Sequence, residues 1–157
     1  MNSLATTATS ARRPRRLLMV GTGVFLGLAA VGALAHYTGM PWVMGSFGAS
    51  CVLLFGFPEA PFSRPRNVLG GHLIASAIGL AVLHLAGDAW YAMALAGALA
   101  ATLMVATDTV HPPAGSNPVI IFLYQPDWSF LLLPTLAGAS LLVVIALAHR
   151  YLWGPRR

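Results

Sequence analysis

The sequence predicts an all-α fold: a polytopic transmembrane helical bundle with an inverted 3+3 repeat and two short, broken helices. Three observations carry this. First, 57% of the 157 residues are hydrophobic and only 8% are charged, against roughly a quarter in a soluble domain. So few charges cannot cover a water-facing surface, which excludes a soluble enzyme. Second, the apolar residues fall in runs, several close to the roughly 20 residues that carry a helix across the hydrocarbon core. Third, the chain resembles itself at an offset of 67 residues.

Residues 1–16 are small, polar and basic, and are expected to form a disordered tail. Residues 17–35 form an apolar run of 19 residues, the first span. A signal peptide is the lesser alternative, because Ala33-Leu34-Ala35 has the small-x-small form of a cleavage site. The run is too long for the usual apolar region of about 7–15 residues in a signal peptide. Further apolar stretches cover 41–57, 68–86, 89–106, 118–124 and 130–148. Two are irregular. The first contains Gly45-Ser46-Phe47-Gly48; residues 118–124 number only seven and follow His111-Pro112-Pro113-Ala114-Gly115. Seven helical residues rise only about 10 Å. The transmembrane domain is expected over 17–153, with repeats 17–84 and 85–153, and 154–157 as a basic tail.

The two irregular segments resemble each other. Gly48 to Phe57 aligns without gaps on Gly115 to Tyr124, with Gly, Val and Phe identical. The same offset places 18–35 on 85–102 and Gly71 on Gly138. Each half then has a span, a broken short span and a span, and an odd number of crossings inverts the second copy. A simpler alternative has four full spans and one re-entrant pair.

All nine basic residues are Arg, clustered at 12–16, 64–66 and 150–157. With the N-terminus in the cytoplasm, every Arg falls on the cytoplasmic side, as basic residues that set membrane orientation should. The net charge of +5 therefore points to a lipid bilayer and not to nucleic acid. Trp42, Trp90, Trp128 and Trp153, with Tyr37, Tyr91 and Tyr151, lie near span ends as an aromatic belt would. The single Cys51 forms no disulfide within one chain. No zinc pattern, Walker motif or dinucleotide fingerprint is present, so neither metal nor cofactor is expected.

Discontinuous helices at matching positions of inverted halves point to a transporter binding site. Residues 41–47 would enter without regular helix before a half-helix over 48–57; 107–114 would do so before 116–124. Both helix N-termini would then lie near the midplane, and a helix N-terminus favours an anion. Ser50 and Asn117 lie in the first turns, as caps or solute contacts. Gly45, Gly48 and Gly115 would let backbone approach a ligand, although packing explains the first two equally well. Gly71, Gly79 and Gly97 are expected to be packing positions. Asp108, His111 and His72 are candidates for proton coupling; Asp108 could equally cap the next turn. Ser116 and His111 could be cast as an intramembrane hydrolase, but no third orienting group is evident.

The segment Thr107-Asp108-Thr109-Val110-His111-Pro112-Pro113-Ala114-Gly115 resembles the motif that names the HPP family of integral membrane proteins. Met44-Gly45-Ser46-Phe47-Gly48-Ala49-Ser50 and Pro65-Arg66-Asn67-Val68-Leu69-Gly70-Gly71-His72 resemble two further blocks of that family, in the same order. The family is described as having four transmembrane helices, against the six shorter crossings of the repeat. Plastid and cyanobacterial members are implicated in nitrite transport, so the resemblance implies nitrite or a similar small monovalent anion. It places His111, Pro112, Pro113, Gly115, Ser116 and Asn117 on one side of a pathway. Gly45, Ser46, Gly48 and Ser50 fall on the other, with Asn67 and His72 third. The regulatory CBS region of some bacterial relatives is not expected here.

The sequence thus leads to a non-enzymatic anion transporter, homo-oligomeric, in a bacterial inner membrane with both termini cytoplasmic. A non-transporting scaffold or sensor is the alternative, and a hydrolase a more distant one.

Overall fold

The computed structural model describes residues 3–39 and 44–153, with side chains from Arg13 onward. Among these the chain is helical and without strands. Six α-helices follow one another: α1 (Ser3–Thr38), α2 (Gly45–Cys51), α3 (Pro65–Ala86), α4 (Trp90–Ala106), α5 (Asn117–Tyr124) and α6 (Ala137–Trp153). A π-turn, Val52–Gly56, prolongs α2, and a 3-10 turn, Pro112–Ser116, leads into α5. The expected pattern of long helices and two short ones is therefore present. Arg13–Thr38, Pro65–Ala86 and Trp128–Trp153 are long and apolar enough to cross a membrane. The 17 residues of α4 rise about 25 Å, a little less than the core thickness.

Several boundaries differ from the sequence reading. The disordered tail expected over 1–16 gives way at Ser3 to α1. Ala5, Ala8, Ala11 and the arginines are good helix formers, and extending a nucleated helix fixes only one residue per hydrogen bond. Helix α2 starts at Gly45, one turn before the expected Gly48. Residues 40–43, including Trp42, lie outside the described residues. Regular helix in the last span begins only at Ala137, after a 3-10 turn (Trp128–Leu131) and a π-turn (Leu132–Leu136). Pro134, buried inside that stretch, lacks the N–H that a regular turn would use.

Side-chain contacts fix the order of the ends. Arg15 donates to the Trp153 carbonyl, Arg16 to Gly56 and Arg66 to Thr107, and Arg150 pairs with Glu59. At the opposite end Gln125 donates to Asp88 at 3.1 Å, and the His84 and Trp128 rings lie 5.4 Å apart. The Arg-bearing links therefore share one end of the bundle. The 87–88 and 125–128 links share the other.

Close approach of the helices depends on specific glycines. A Cβ on Gly23 would run into the Phe55 ring, and one on Gly138 would run into the Phe47 ring. Gly71 and Gly79 are packing positions as expected. Gly97 is not, since nothing lies within 4 Å of a Cβ placed there.

The core joins Val31, Phe47, Cys51, Val68, Leu80, Ile121 and Leu142. What is outside and what is inside are inverted relative to a soluble protein. Leu85 and Tyr151 are each 89% exposed, whereas Ser50, His72, Ser76, His111, Asn117 and Thr135 are fully buried. Water rewards the reverse arrangement; a hydrocarbon surrounding rewards this one.

Candidate functional site: a buried polar chain between the two short helices

Two prolines begin the construction. Pro112 and Pro113 cannot donate backbone N–H groups, and they open a short 3-10 turn after the extended His111. The preceding link is tied to the start of α3. Asn67 Nδ2 donates to the Val110 carbonyl at 3.0 Å and, more weakly, to Asp108 at 3.4 Å. Gly70 and Gly71 admit that link against the helix: a Cβ on Gly70 would meet Thr109 Cγ2 at 2.9 Å, and one on Gly71 would meet His111 Cβ at 2.8 Å. His111 is thereby pressed onto α3, and the 3-10 turn packs on α2.

The result is a continuous line of buried polar side chains. His111 Nδ1 lies 2.7 Å from the Phe62 carbonyl. A carbonyl only accepts, so Nδ1 carries a proton. His111 Nε2 lies 2.8 Å from Ser50 Oγ, and Ser50 Oγ lies 3.0 Å from His72 Nε2. On the other side of that ring, Asn117 Nδ2 donates to His72 Nδ1 at 3.0 Å and to Ser76 Oγ at 2.9 Å. Ser76 Oγ in turn is 3.0 Å from Thr135 Oγ1. These donors and acceptors assign the tautomers. His72 accepts at Nδ1, so its proton is on Nε2 and points at Ser50; Ser50 then donates to His111 Nε2. The Ser46 carbonyl, 2.9 Å from Ser50 Oγ, competes for the one hydroxyl proton.

Of the expected site residues, the structure brings together Ser50, His72, His111 and Asn117. Ser46 and Pro113 are buried beside them. Gly45, Pro112, Gly115 and Ser116 are exposed, Gly48 is half-buried, and a Cβ on Gly45, Gly48 or Gly115 would meet nothing within 4 Å. Ser116 Oγ bonds back to the Pro113 carbonyl at 2.9 Å, so it is not the partner of His111 that a hydrolase built on it requires. Asp108 is exposed in a left-handed turn at φ 54° and bonds neither histidine among the described residues. Neither Ser50 nor Asn117 caps a helix; α2 and α5 have no side-chain cap.

Sequence reasoning missed Ser76, Thr135 and the Phe62 carbonyl. Ser76 had a signal: it follows His72 by four residues and so shares its helix face. The other two are set by tertiary packing alone. Two buried polar atoms have no hydrogen-bond partner among the described residues, Ser46 Oγ and Asn117 Oδ1. There is also no cluster of three or more metal-ligating side chains among them.

The chain matches the HPP transmembrane region over residues 9–157. It belongs to the HPP family. It is an integral membrane protein of that family, and the apolar exterior and polar interior follow from that setting. It is 33% identical over 136 residues to a transmembrane protein of Dictyostelium discoideum, covering 78% of this chain and 47% of the relative. A second Dictyostelium transmembrane protein is 31% identical over 136 residues, with 78% and 43% covered. The chain thus spans less than half the length of these HPP relatives. No solved structure matches it.

Proposed function

We propose that this HPP protein transports a small monovalent anion, with nitrite as the substrate the family resemblance implies. The observation that carries the reading is the Ser50–His72–His111–Asn117 chain, fully buried where the two short helices meet. Polar and ionisable groups inside a membrane are costly and mark solute or proton pathways. Broken helices at that depth are the usual frame of such a site. Ser46 Oγ and the Asn117 amide are left over to meet a solute, because Ser46 Oγ and Asn117 Oδ1 are the buried polar side-chain atoms without a partner among the described residues.

Three further features fit. Among the described residues Arg15, Arg16, Arg66 and Arg150 make their contacts at one end, and the positive-inside rule favours that end in the cytoplasm; both termini cytoplasmic, in a bacterial inner membrane, is the orientation this reading adopts. At that end a recess of about 220 Å³ is lined by Arg64, Arg150 and Glu59 together with Ser63, next to the Phe62 carbonyl that His111 engages. Arg150 is paired with Glu59, so Arg64 supplies the net positive charge there, which favours anions near the recess. The inverted repeat is supported by its matched glycines: Gly71 and Gly138, 67 residues apart, each receive a side chain from the other half, His111 and Phe47 respectively. The open faces of Gly45, Gly48 and Gly115 suit close packing of a second copy, hence a homo-oligomer.

One specific observation supports a second reading. Ser50, His111 and the Phe62 carbonyl form a nucleophile, base and orienting group in hydrogen-bond reach. A fluorophosphonate probe that labels Ser50 would favour a hydrolase.

The deciding test is flux into proteoliposomes of the purified protein, comparing nitrite, nitrate, formate, bicarbonate and chloride across a pH gradient. Saturable and selective nitrite uptake is expected. Absence of flux for every anion, from protein whose Cys51 stays protected from maleimide, refutes transport and favours the scaffold or sensor reading.

A further inference from the structure

The hydrogen-bond chain has a direction, and the direction can be reversed. In the arrangement above, Asn117 N–H points to His72 Nδ1, His72 Nε2–H to Ser50, Ser50 O–H to His111 Nε2, and His111 Nδ1–H to the Phe62 carbonyl. Every link is used with both imidazoles neutral. The free arm of the Asn117 amide is then Oδ1, an acceptor without a partner. It repels an anion.

Now let the amide turn over. Its two arms have the same shape, so the turn needs no new space. The long 3.5 Å contact of Nδ2 with the His72 carbonyl is given up, and Oδ1 then faces His72 Nδ1 and Ser76 Oγ. Both must donate to it, and Ser76 can, because Thr135 can donate to Ser76 in turn. His72 now needs a proton on Nδ1. Without an added proton, that proton must come from His72 Nε2, which is then left as a bare acceptor facing Ser50. With neutral rings, a lone pair of Ser50 would face a lone pair of a ring nitrogen. With one added proton, all links close again. The proton resides on His72 with Ser50 donating to His111, or on His111 with Ser50 donating to His72. The two forms interconvert when the His72 Nε2–H bond breaks to Ser50 Oγ as the Ser50 O–H proton passes to His111 Nε2. The added proton comes from hydronium, which leaves as water.

We propose that Asn117 is the coupling element of this protein: one proton taken up by His72–Ser50–His111 turns the Asn117 amide so that it presents N–H, not C=O, to a small anion. The proposal rests on the transport reading and adds the means by which proton and anion travel together. An anion and a proton would then favour each other at the site, as linkage requires of two ligands that prefer the same state. The titratable or charged groups on the packed elements are accounted for. Cys51 Sγ on α2 lies against Gly27. Arg66 at the start of α3 is engaged by Thr107, and Arg64 lines the outer recess. Asp108 is exposed, His84 bonds the Leu80 carbonyl, and His149 on α6 bonds Thr22. The Phe47 ring meets His72 by its edge at 5.3 Å.

The test is solid-state NMR of the full chain in lipid bilayers, with 15N-labelled histidine and asparagine and signals assigned by single-histidine replacements. At high pH, His72 should carry its proton on Nε2 and His111 on Nδ1. As one proton enters the pair, His72 should gain Nδ1–H. Sodium nitrite at a fixed intermediate pH should raise the Nδ1–H fraction of His72. In Ser50→Ala, protonation of His111 should leave His72 in its Nε2–H form, and Ser50→Thr should restore the link. Asn117→Asp, whose carboxylate can only accept, should hold His72 with Nδ1–H at every pH. A His72 tautomer that is constant through the titration, a Ser50→Ala protein that behaves as wild type, or indifference to nitrite overturns the proposal. Nitrite flux without a tautomer switch removes this relay and leaves transport standing. A tautomer switch without flux removes transport and leaves the proton relay standing.

Discussion

Replacing Gly71 by Ala should loosen the whole polar chain from a position that touches no ligand. The added Cβ would lie 2.8 Å from His111 Cβ, 3.1 Å from the Thr109 carbonyl oxygen and 3.3 Å from Met104 Sδ. Met104 can swing away. The other two cannot do so freely, because Asn67 holds the link at Val110 and the Phe62 carbonyl holds the His111 ring. Carbon atoms rest about 3.5–4.0 Å apart, so His111 must retreat by more than half an ångström. Overpacking of this kind costs about 1–3 kcal/mol. Stretching one of the two short bonds of His111 adds about 1 kcal/mol. The better helix propensity of Ala returns about 1 kcal/mol. The net loss of about 1–3 kcal/mol should lower the melting temperature by about 3–10 °C. Cys51 is the only cysteine and is fully buried, so labelling by a fluorogenic maleimide during heating reads unfolding directly. Gly97→Ala, with nothing within 4 Å, is the control and should melt at or above wild type. A Gly71→Ala protein that melts within about 1 °C of wild type would show that helix proximity does not position His111, against the overpacking estimate.

Other substitutions separate stability from transport. Ser46→Ala removes an unpaired buried hydroxyl and should leave the melting temperature at or above wild type while lowering anion uptake; Ser50→Ala strands buried ring nitrogens and should cost about 1–3 kcal/mol in the same maleimide assay. Asp108→Asn should leave the pH dependence of uptake as it is, since the exposed carboxylate bonds neither histidine, and Asp108→Gly should not destabilise a turn already at positive φ. The Arg150–Glu59 pair, with side chains 45% and 76% exposed, should give a coupling energy below about 1 kcal/mol in a double-mutant cycle. The Ser129 side chain, and then its backbone N–H, hold the Asp127 carboxyl below its usual range. Its contribution is therefore present above the ordinary carboxylate pKa and lost as pH falls through the lowered one, a slope that Asp127→Ala should remove from melts between about pH 5 and pH 2.

The order of helices was legible because hydrophobic run length maps directly onto span length. Residues 68–86 and 89–106 fall almost residue for residue on α3 and α4. The start of α5 was legible too, because the two prolines before it punctuate the chain whatever packs around them. Legibility failed where partners are far apart in sequence. Ser50 looked like a helix cap because local patterns favour caps, yet its oxygen lies between rings 22 and 61 residues away. Gly97 looked like a packing glycine because composition cannot say which face of α4 meets α3. The basic tail looked disordered because polarity was weighed above the helix propensity of its alanines.

The energetics of the polar chain bear on the proposed transport role. Apolar residues of matching volume would pack at these positions without the cost of buried polar groups, which at best break even against apolar packing. Retaining Ser50, His72, Ser76, His111, Asn117 and Thr135 therefore needs a return other than stability. A purely structural network would also close on itself. This one stops at Asn117 Oδ1, with Ser46 Oγ likewise unpaired, and in hydrocarbon each such atom is expensive. Pairing is complete on the side of the Phe62 carbonyl and incomplete at the amide. A chain satisfied at one end and open at the other is suited to exchanging a proton for a contact with a passing solute.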